Sequence, residues 1–393
     1  MKLQHISRIA KAALTRSVPV YAHFGITHRC DLTCKMCGIW RYGNEKEELS
    51  LAEMQEVARR MRRLGVVQVS IGGGEPFMRK DLEEIVKAFV DEGLNLRVLT
   101  NAVDVPEERI RKTIENGCKN FSVSLDSLYP ARFDYICEKE GSWDGAVKNM
   151  TLIGKLLQGT DGFPMINCVV SHLNLEELSD MAHFAREIGF GISYLPVELL
   201  SDAKDGVRNW EARFIRYRPE LQIDVDANAS VGARIDKAYD QVIELKRKGF
   251  PILNSTPYLE ASRHYLKTGQ FPAEGCDAGA LYFSVAPNGQ FTICHRTLHQ
   301  HKHFLDPDFE TYFRSEVYER IRLQEAGGCE GCMRACWIDT SSMFRTLQGF
   351  AETAWLQVKP TNRETIPWEE ARQWARYDQV PIVPDASSCA TAK

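Results

Sequence analysis

Apolar residues in the first half of the chain fall into short runs separated by longer amphipathic stretches. The runs at residues 20–26, 66–71, 96–99, 121–125, 165–170 and 191–196 read as strands. Between them, helical spacing covers residues 51–64, 81–92, 106–116, 142–157 and 175–188. Ser50 and Glu53 have capping-box spacing, Pro106 suits a first helical turn, and Gly93 and Gly117 stop two of the helices. Six β–α alternations predict an α/β fold with a parallel sheet covered by helices.

The rhythm changes at both ends. Residues 1–19 predict an amphipathic helix with Leu3, Ile6, Ile9, Ala10, Ala13 and Leu14 on one face and Lys2, Arg8, Lys11 and Arg16 around it. Docking on the protein body is the expected role; peripheral contact with an anionic membrane is the alternative. Residues 201–270 read as a mostly helical connector, clearest at 235–248. Residues 281–286 and 290–293 form a hairpin pattern about the turn Pro287–Asn288–Gly289. Residues 346–393 form a tail with one short helix near 368–376, and the end after Asp385 reads as disordered.

The chain's 393 residues, 44% of them hydrophobic, suffice for one large core and a smaller module. A net charge of −4 leaves no electrostatic footprint for nucleic acid. No run is long enough for a membrane span, and no secretory signal precedes the cysteines. Eight of the 12 cysteines lie in two sets with metal-ligand spacing, which points to a reducing, oxygen-poor cytoplasm rather than to disulfides.

The first set is Cys30, Cys34 and Cys37, a Cys-x-x-x-Cys-x-x-Cys run directly after the first strand. Three thiolates this close suit three corners of a 4Fe–4S cube, leaving one iron open to a non-protein ligand. Zinc or structural thiols are the alternatives, although zinc sites usually pair such motifs. The second strand runs into Gly72–Gly73–Gly74–Glu75–Pro76. Ser122, Ser124 and Asp126 share one face of the fourth strand, and a polar face inside a barrel calls for a polar ligand. Cys118, Cys137 and Cys168 read as inert buried thiols, with hydrogen-atom donation to a substrate radical as the alternative.

The cysteine run after one strand and Gly-Gly-Glu-Pro after the next resemble the radical S-adenosylmethionine (radical SAM) superfamily. The resemblance extends through residues 99–102, 123–128, 141–144 and 166–170. It implies a partial (β/α)6 barrel over residues 20–200, with chemistry at the C-terminal strand ends. It also implies that SAM chelates the open iron, with Gly73, Gly74 and Glu75 at its methionine end and Met36 beside the adenine. Thr100, Ser124 and Asn167 are the remaining candidate contacts. Reduction would then release a 5′-deoxyadenosyl radical that takes hydrogen from an unactivated C–H bond, with the electron coming from an external donor such as flavodoxin or ferredoxin.

The second set is Cys276, Cys294, Cys329, Cys332 and Cys336. Cys-x12-Gly-x4-Cys followed by Cys-x-x-Cys resembles the auxiliary-cluster modules called SPASM or twitch, here over residues 271–345. One auxiliary 4Fe–4S cluster is implied, with Cys336 a spare or alternative ligand; a four-thiolate zinc site would use the same residues. His295, His299, His301 and His303 read as a solvated polar loop, with metal or macrocycle ligation as the alternative.

An auxiliary cluster fits net oxidation by a radical SAM oxidoreductase. The substrate reading leans to a small molecule of tetrapyrrole type, because the histidine loop adjoins Cys294 and the N-terminal helix could face a membrane; residues 1–19, too short for a leader-binding domain, lower the peptide reading. Maturation of a ribosomal peptide is the first alternative. A non-enzymatic electron carrier or zinc scaffold is the second.

Overall fold

The computed structural model describes residues 3–198, 229–271, 276–294, 302–329, 331–334, 340–341, 344–345, 352 and 364–377. Cys336, Cys389, His295, His299, His301, the first part of the predicted connector and the predicted disordered end lie outside the described residues.

All six predicted strands form: β1 (Tyr21–Thr27), β2 (Gln68–Gly73), β3 (Asn95–Thr100), β4 (Asn120–Ser124), β5 (Met165–Val170) and β6 (Gly191–Pro196). They pair parallel and in sequence order, as an open (β/α)6 barrel requires. Following α1 (Leu3–Thr15), the outer helices are α2 (Leu51–Leu64), α3 (Leu82–Asp91), α4 (Glu107–Glu115), α5 (Pro130–Cys137), α6 (Ser142–Leu157) and α7 (Leu178–Glu187). The capping box opens α2 as expected: Glu53 N–H donates to Ser50 Oγ at 3.4 Å, and Ser50 N–H donates to Glu53 Oε2 at 2.8 Å. The eight-residue α5 was not expected, since so short an element carries little periodic signal.

Strand alternation separates two environments. On β5, Ile166, Cys168 and Val170 are fully buried beneath helices, whereas Met165, Asn167 and Val169 keep surface on the lumen side. On β3, Leu96 and Val98 are buried and Arg97 and Leu99 are half-buried. Arg97 reaches across the lumen floor and donates to Phe121 O at 3.0 Å, Phe163 O at 3.2 Å and Ser122 Oγ at 3.3 Å. Those contacts occupy Ser122 and leave Ser124 as the exposed hydroxyl of β4.

The predicted hairpin is present, but it extends the barrel's own sheet. β7 (Tyr282–Val285) pairs parallel with the outer edge of β1, Tyr21 opposite Tyr282 and Phe24 opposite Val285. β8 (Gln290–Thr292) and β9 (Lys302–His303) follow antiparallel, giving nine strands among the described residues. Pairing covers an edge that would otherwise expose a row of amide and carbonyl groups. Phe283, Phe291, Phe304, Phe309 and Phe313 pack beneath this extension, joined by Tyr318; Phe304 and Phe309 approach to 4.6 Å between ring centroids.

Two helices of the connector are described, α8 (Ala229–Arg247) and α9 (Thr256–Thr268). Tyr258 on α9 is buried and donates to Met333 O at 2.7 Å, next to Cys332. Downstream come α10 (Phe309–Phe313) and α11 (Glu316–Gly327). The tail returns to the barrel as α12 (Trp368–Ala371), which buries Ala371 and sets Trp368 at 6.3 Å from Trp143. Arg376 N–H donates to Leu128 O at 3.0 Å.

At the other end, α1 docks on the body as expected. Ala12 is fully buried, Ile9 packs on the core, and Arg8 donates to Val66 O at 3.4 Å. Leu14 departs from its predicted face and is 87% exposed, because it lies one residue from the helix end. Among the described residues no helix is long and apolar enough to cross a membrane.

Because one sheet carries both barrel and hairpin, they should unfold together. Phe283→Ala, at a fully buried ring, is expected to lower stability by about 3–5 kcal/mol. Denaturant unfolding followed by far-ultraviolet dichroism and by tryptophan fluorescence should show coincident transitions shifted together. Loss of an early transition alone would show that the hairpin folds independently.

Candidate active site and second cysteine centre

The loop bearing Cys30, Cys34 and Cys37 leaves the C-terminal end of β1, and its two ends are clamped by charge. Glu48 has its carboxylate nearly covered; it accepts from Arg29 Nε and Nη2, each at 2.9 Å, and from Thr27 Oγ1 at 2.5 Å. Buried Arg79 adds a bond to the same carboxylate at 3.4 Å, donates to Ile26 O and Leu49 O, and is held by Asp81 through two bonds of 2.8 and 2.9 Å. None of these residues belongs to the predicted site. Their contacts to Glu48 link positions 19 to 31 residues apart, which no local spacing reveals.

The glycine turn after β2 lies directly against this loop. Gly74 N–H donates to Thr27 O and Glu75 N–H to Arg29 O, both at 2.8 Å. A Cβ on Gly73 would fall 2.1 Å from Thr27 O, and one on Gly74 would fall 2.1 Å from Arg29 O. Gly73 also has φ of +118°, where only glycine is unstrained. The glycines therefore let two backbones meet, a role that the SAM-contact expectation did not include.

Glu75 is buried beneath the turn and accepts from Thr100 Oγ1 at 2.9 Å, Asn101 N–H at 2.8 Å and Phe77 N–H at 3.1 Å. Thr100 is itself buried, and its oxygen accepts Ala102 N–H at 2.9 Å. Glu75 and Thr100 thus hold one another and lock the β2 and β3 ends together. Burial outweighs the three hydrogen bonds and raises the Glu75 carboxyl to about 7.

Asn101, quoted in the sequence motif but not placed in the site, donates to Asp31 Oδ1 at 2.8 Å and lies 4.0 Å from Cys30 Sγ. Trp40 Nε1 donates to Cys37 O at 3.0 Å. Met36 packs beside Ile136 and Leu173, with Tyr135 nearby. Cys137 is buried against Cys34, whose thiol with burial holds it well above the usual range. Its place beside a predicted ligand was not legible from the sequence. Of the remaining candidate contacts, Ser124 and Asn167 face each other across the β4–β5 register and both keep surface toward the lumen.

Cys30, Cys34 and Cys37 form no disulfide and are half-buried. Burial, with the Glu75 and Asp31 carboxyls and Cys34 nearby, pushes the Cys30 thiol up. A sulfur there ionises only beside positive charge, which a metal cluster supplies. The donor set therefore fits a 4Fe–4S cluster with one iron left open: three thiols on one loop, with open polar groups across the lumen. Among the described residues, no three His, Cys, Asp or Glu side chains are drawn together closely enough to hold a single metal ion as they stand.

The second set gathers around Tyr282. Its hydroxyl lies 3.0 Å from Cys276 Sγ. Cys294 follows β8 by two residues, and β8 pairs with β7 through Ser284 opposite Thr292. Cys332 is within electrostatic range of the same hydroxyl, as Cys329 is of Cys276. Gly331 N–H donates to Cys329 Sγ at 3.4 Å within the Cys-x-x-Cys turn. Of the predicted histidines, His303 is described; its Nε2 lies 2.7 Å from Asn288 O in the hairpin turn, so the ring supports that turn.

Residues 24–185 match the Radical SAM superfamily. The chain is 28% identical to the PqqA peptide cyclase of Bradyrhizobium diazoefficiens over 180 residues; the match covers 45% of this chain and spans about half, 46%, of that protein's length. It is 24% identical to the mycofactocin maturase MftC of Mycolicibacterium smegmatis over 324 residues, which are 80% of this chain and 75% of that protein. The fold resembles that of Streptococcus suis SuiB bound to the precursor peptide SuiA, with a TM-score of 0.58 and 17% identity over 81% of this chain and 70% of that one.

Two outcomes follow from this geometry. Gly74→Ala should block the approach of the cysteine loop, so anaerobic reconstitution should leave the first cluster largely unfilled while the second set loads; normal iron content at both would show that the loop relaxes. In the metal-free chain, Glu75 holds a proton to about pH 7 when folded but only to about 4.5 when unfolded. Its contribution to stability is therefore complete below about pH 4.5 and is lost as pH rises through about 7. Asp126, also raised to about 7 by burial, acts in the same direction. Glu75→Gln should flatten the decline in unfolding free energy between about pH 5 and 7. An unchanged slope would mean that the folded carboxyl is already ionised.

Proposed function

We propose that this chain, a radical SAM enzyme whose matched domain occupies residues 24–185, acts on a peptide and modifies it by net oxidation at an unactivated C–H bond. The observation that carries the peptide reading is the reach of the MftC match. At 80% of the chain it extends past the barrel into the second cysteine set, so the likeness is not confined to the part that many chemistries share. The named substrate of PqqA peptide cyclase and the peptide bound in SuiB support the same class. The small-molecule, tetrapyrrole-type expectation gives way to the peptide alternative. Both of its supports weaken as well, because the docked α1 and His303 have structural roles.

Bound here, a 4Fe–4S cluster and SAM would together supply the one-electron chemistry that removes hydrogen from an unactivated C–H bond. Cys30, Cys34 and Cys37 would hold that cluster. Glu48, Arg79 and the glycine turn fix the loop on which those three residues sit, and Glu75 with Thr100 holds the turn. Ser124 and Asn167 offer polar groups to the cosubstrate from the lumen wall. Cys276, Cys294, Cys329 and Cys332 would hold an auxiliary 4Fe–4S cluster, with Cys336 as a further thiol. None of the ten described cysteines forms a disulfide, and the electron would come from a low-potential carrier such as flavodoxin or ferredoxin.

The test is anaerobic reconstitution with iron and sulfide, then reaction with dithionite, SAM and synthetic peptides encoded beside the gene. Production of 5′-deoxyadenosine should disappear when Cys30, Cys34 and Cys37 are all replaced by alanine. At least one peptide should lose a pair of hydrogens by mass. Turnover of a tetrapyrrole with every peptide unchanged would reject the peptide reading. Intact clusters without any 5′-deoxyadenosine would reject the radical chemistry itself.

A further inference from the structure

Tyr282 is fully buried at the start of β7, and its hydroxyl lies between two polar atoms, 3.0 Å from Cys276 Sγ and 3.0 Å from Ser341 Oγ. Ser341 Oγ also accepts the backbone N–H of Asp277 at 3.3 Å. Arg345 holds the Asp277 carboxylate through two bonds of 2.7 and 2.8 Å, which fixes that end of the chain of bonds.

The direction of these hydrogen bonds follows from their two ends. A backbone N–H only donates, so Ser341 accepts there. A ligating sulfur is a thiolate, so Cys276 only accepts. The Tyr282 hydrogen is then directed at sulfur, and the hydrogen in the Ser341–Tyr282 bond comes from Ser341. Each donor in the row is polarised by the one before it. Space filling at this position would be met by phenylalanine, whereas the aligned row serves a negatively charged sulfur.

We propose that Tyr282 is a positioning residue for the auxiliary cluster: its O–H donates to the Cys276 ligand sulfur, raises the reduction potential of that cluster, and is itself polarised by Ser341. This rests on the reading that Cys276 ligates an auxiliary 4Fe–4S cluster. The physical basis is that reduction adds negative charge to the cluster and its sulfurs, and a hydrogen bond to a ligand sulfur stabilises that charge. Such a cluster accepts an electron more readily, as net oxidation of a substrate demands.

The experiment uses the full chain with Cys30, Cys34 and Cys37 replaced by alanine, so that the second cluster alone gives the electron paramagnetic resonance signal. The reconstituted protein is titrated potentiometrically with dithionite and redox mediators. Tyr282→Phe should weaken reduction about tenfold, equivalent to about 59 mV more negative for a one-electron couple. Ser341→Ala should shift the potential in the same direction by less. An unchanged potential in Tyr282→Phe at full iron and sulfide content overturns the proposal. Where Tyr282→Phe fails to load iron, Ser341→Ala decides: a lowered potential supports the proposal and an unchanged one overturns it. Absence of any second cluster in the parent protein removes the underlying reading together with the proposal, an outcome that iron and zinc analysis separates from the others.

Discussion

Two stretches of backbone meet at the top of the barrel with no room for a side chain between them. Gly73 and Gly74 lie so close to the Thr27 and Arg29 carbonyls that any Cβ would overlap them, and the amides of Gly74 and Glu75 bond to those same carbonyls. Fixing a loop of this length against a rigid turn removes much of its freedom before any metal binds. Glu48, with Arg29 and Arg79, then closes the loop at its far end. A cluster held by the three sulfurs of one loop would need such a frame, because all three depend on the position of that loop.

The same economy governs the polar groups of the lumen. Buried polar atoms need partners. Glu75 and Thr100 satisfy each other, and Arg97 occupies Ser122 along with two carbonyls. Ser124 and Asn167, opposite each other on adjacent strands, keep accessible surface.

Joining the hairpin to β1 gives the second cysteine set the same rigid support as the first. β1 carries the first cysteine loop at its C-terminal end and pairs along its outer edge with β7, which carries Tyr282. The two cysteine sets are therefore carried by one strand, one at its end and the other along its edge, rather than across a linker. For the proposed net oxidation, such a fixed separation would be an advantage in orientation.

Much of this architecture was legible in the order of residues. Short apolar runs alternating with amphipathic stretches determined six parallel strands and their covering helices, because those patterns reflect local periodicity and burial. The spacing of Cys30, Cys34 and Cys37 and the Gly-Gly-Glu-Pro turn marked the site, since ligand spacing and glycine needs are local as well. Tertiary structure alone decided the partners. Glu48 and Arg79 are 31 positions apart, Cys137 reaches Cys34 through an unpredicted short helix, and Tyr282 finds Ser341 across 59 positions. It also decided that Thr100 serves Glu75 and that the hairpin completes the edge of β1. Such pairings depend on which surfaces the folded chain brings together, and no periodicity within a single element encodes that.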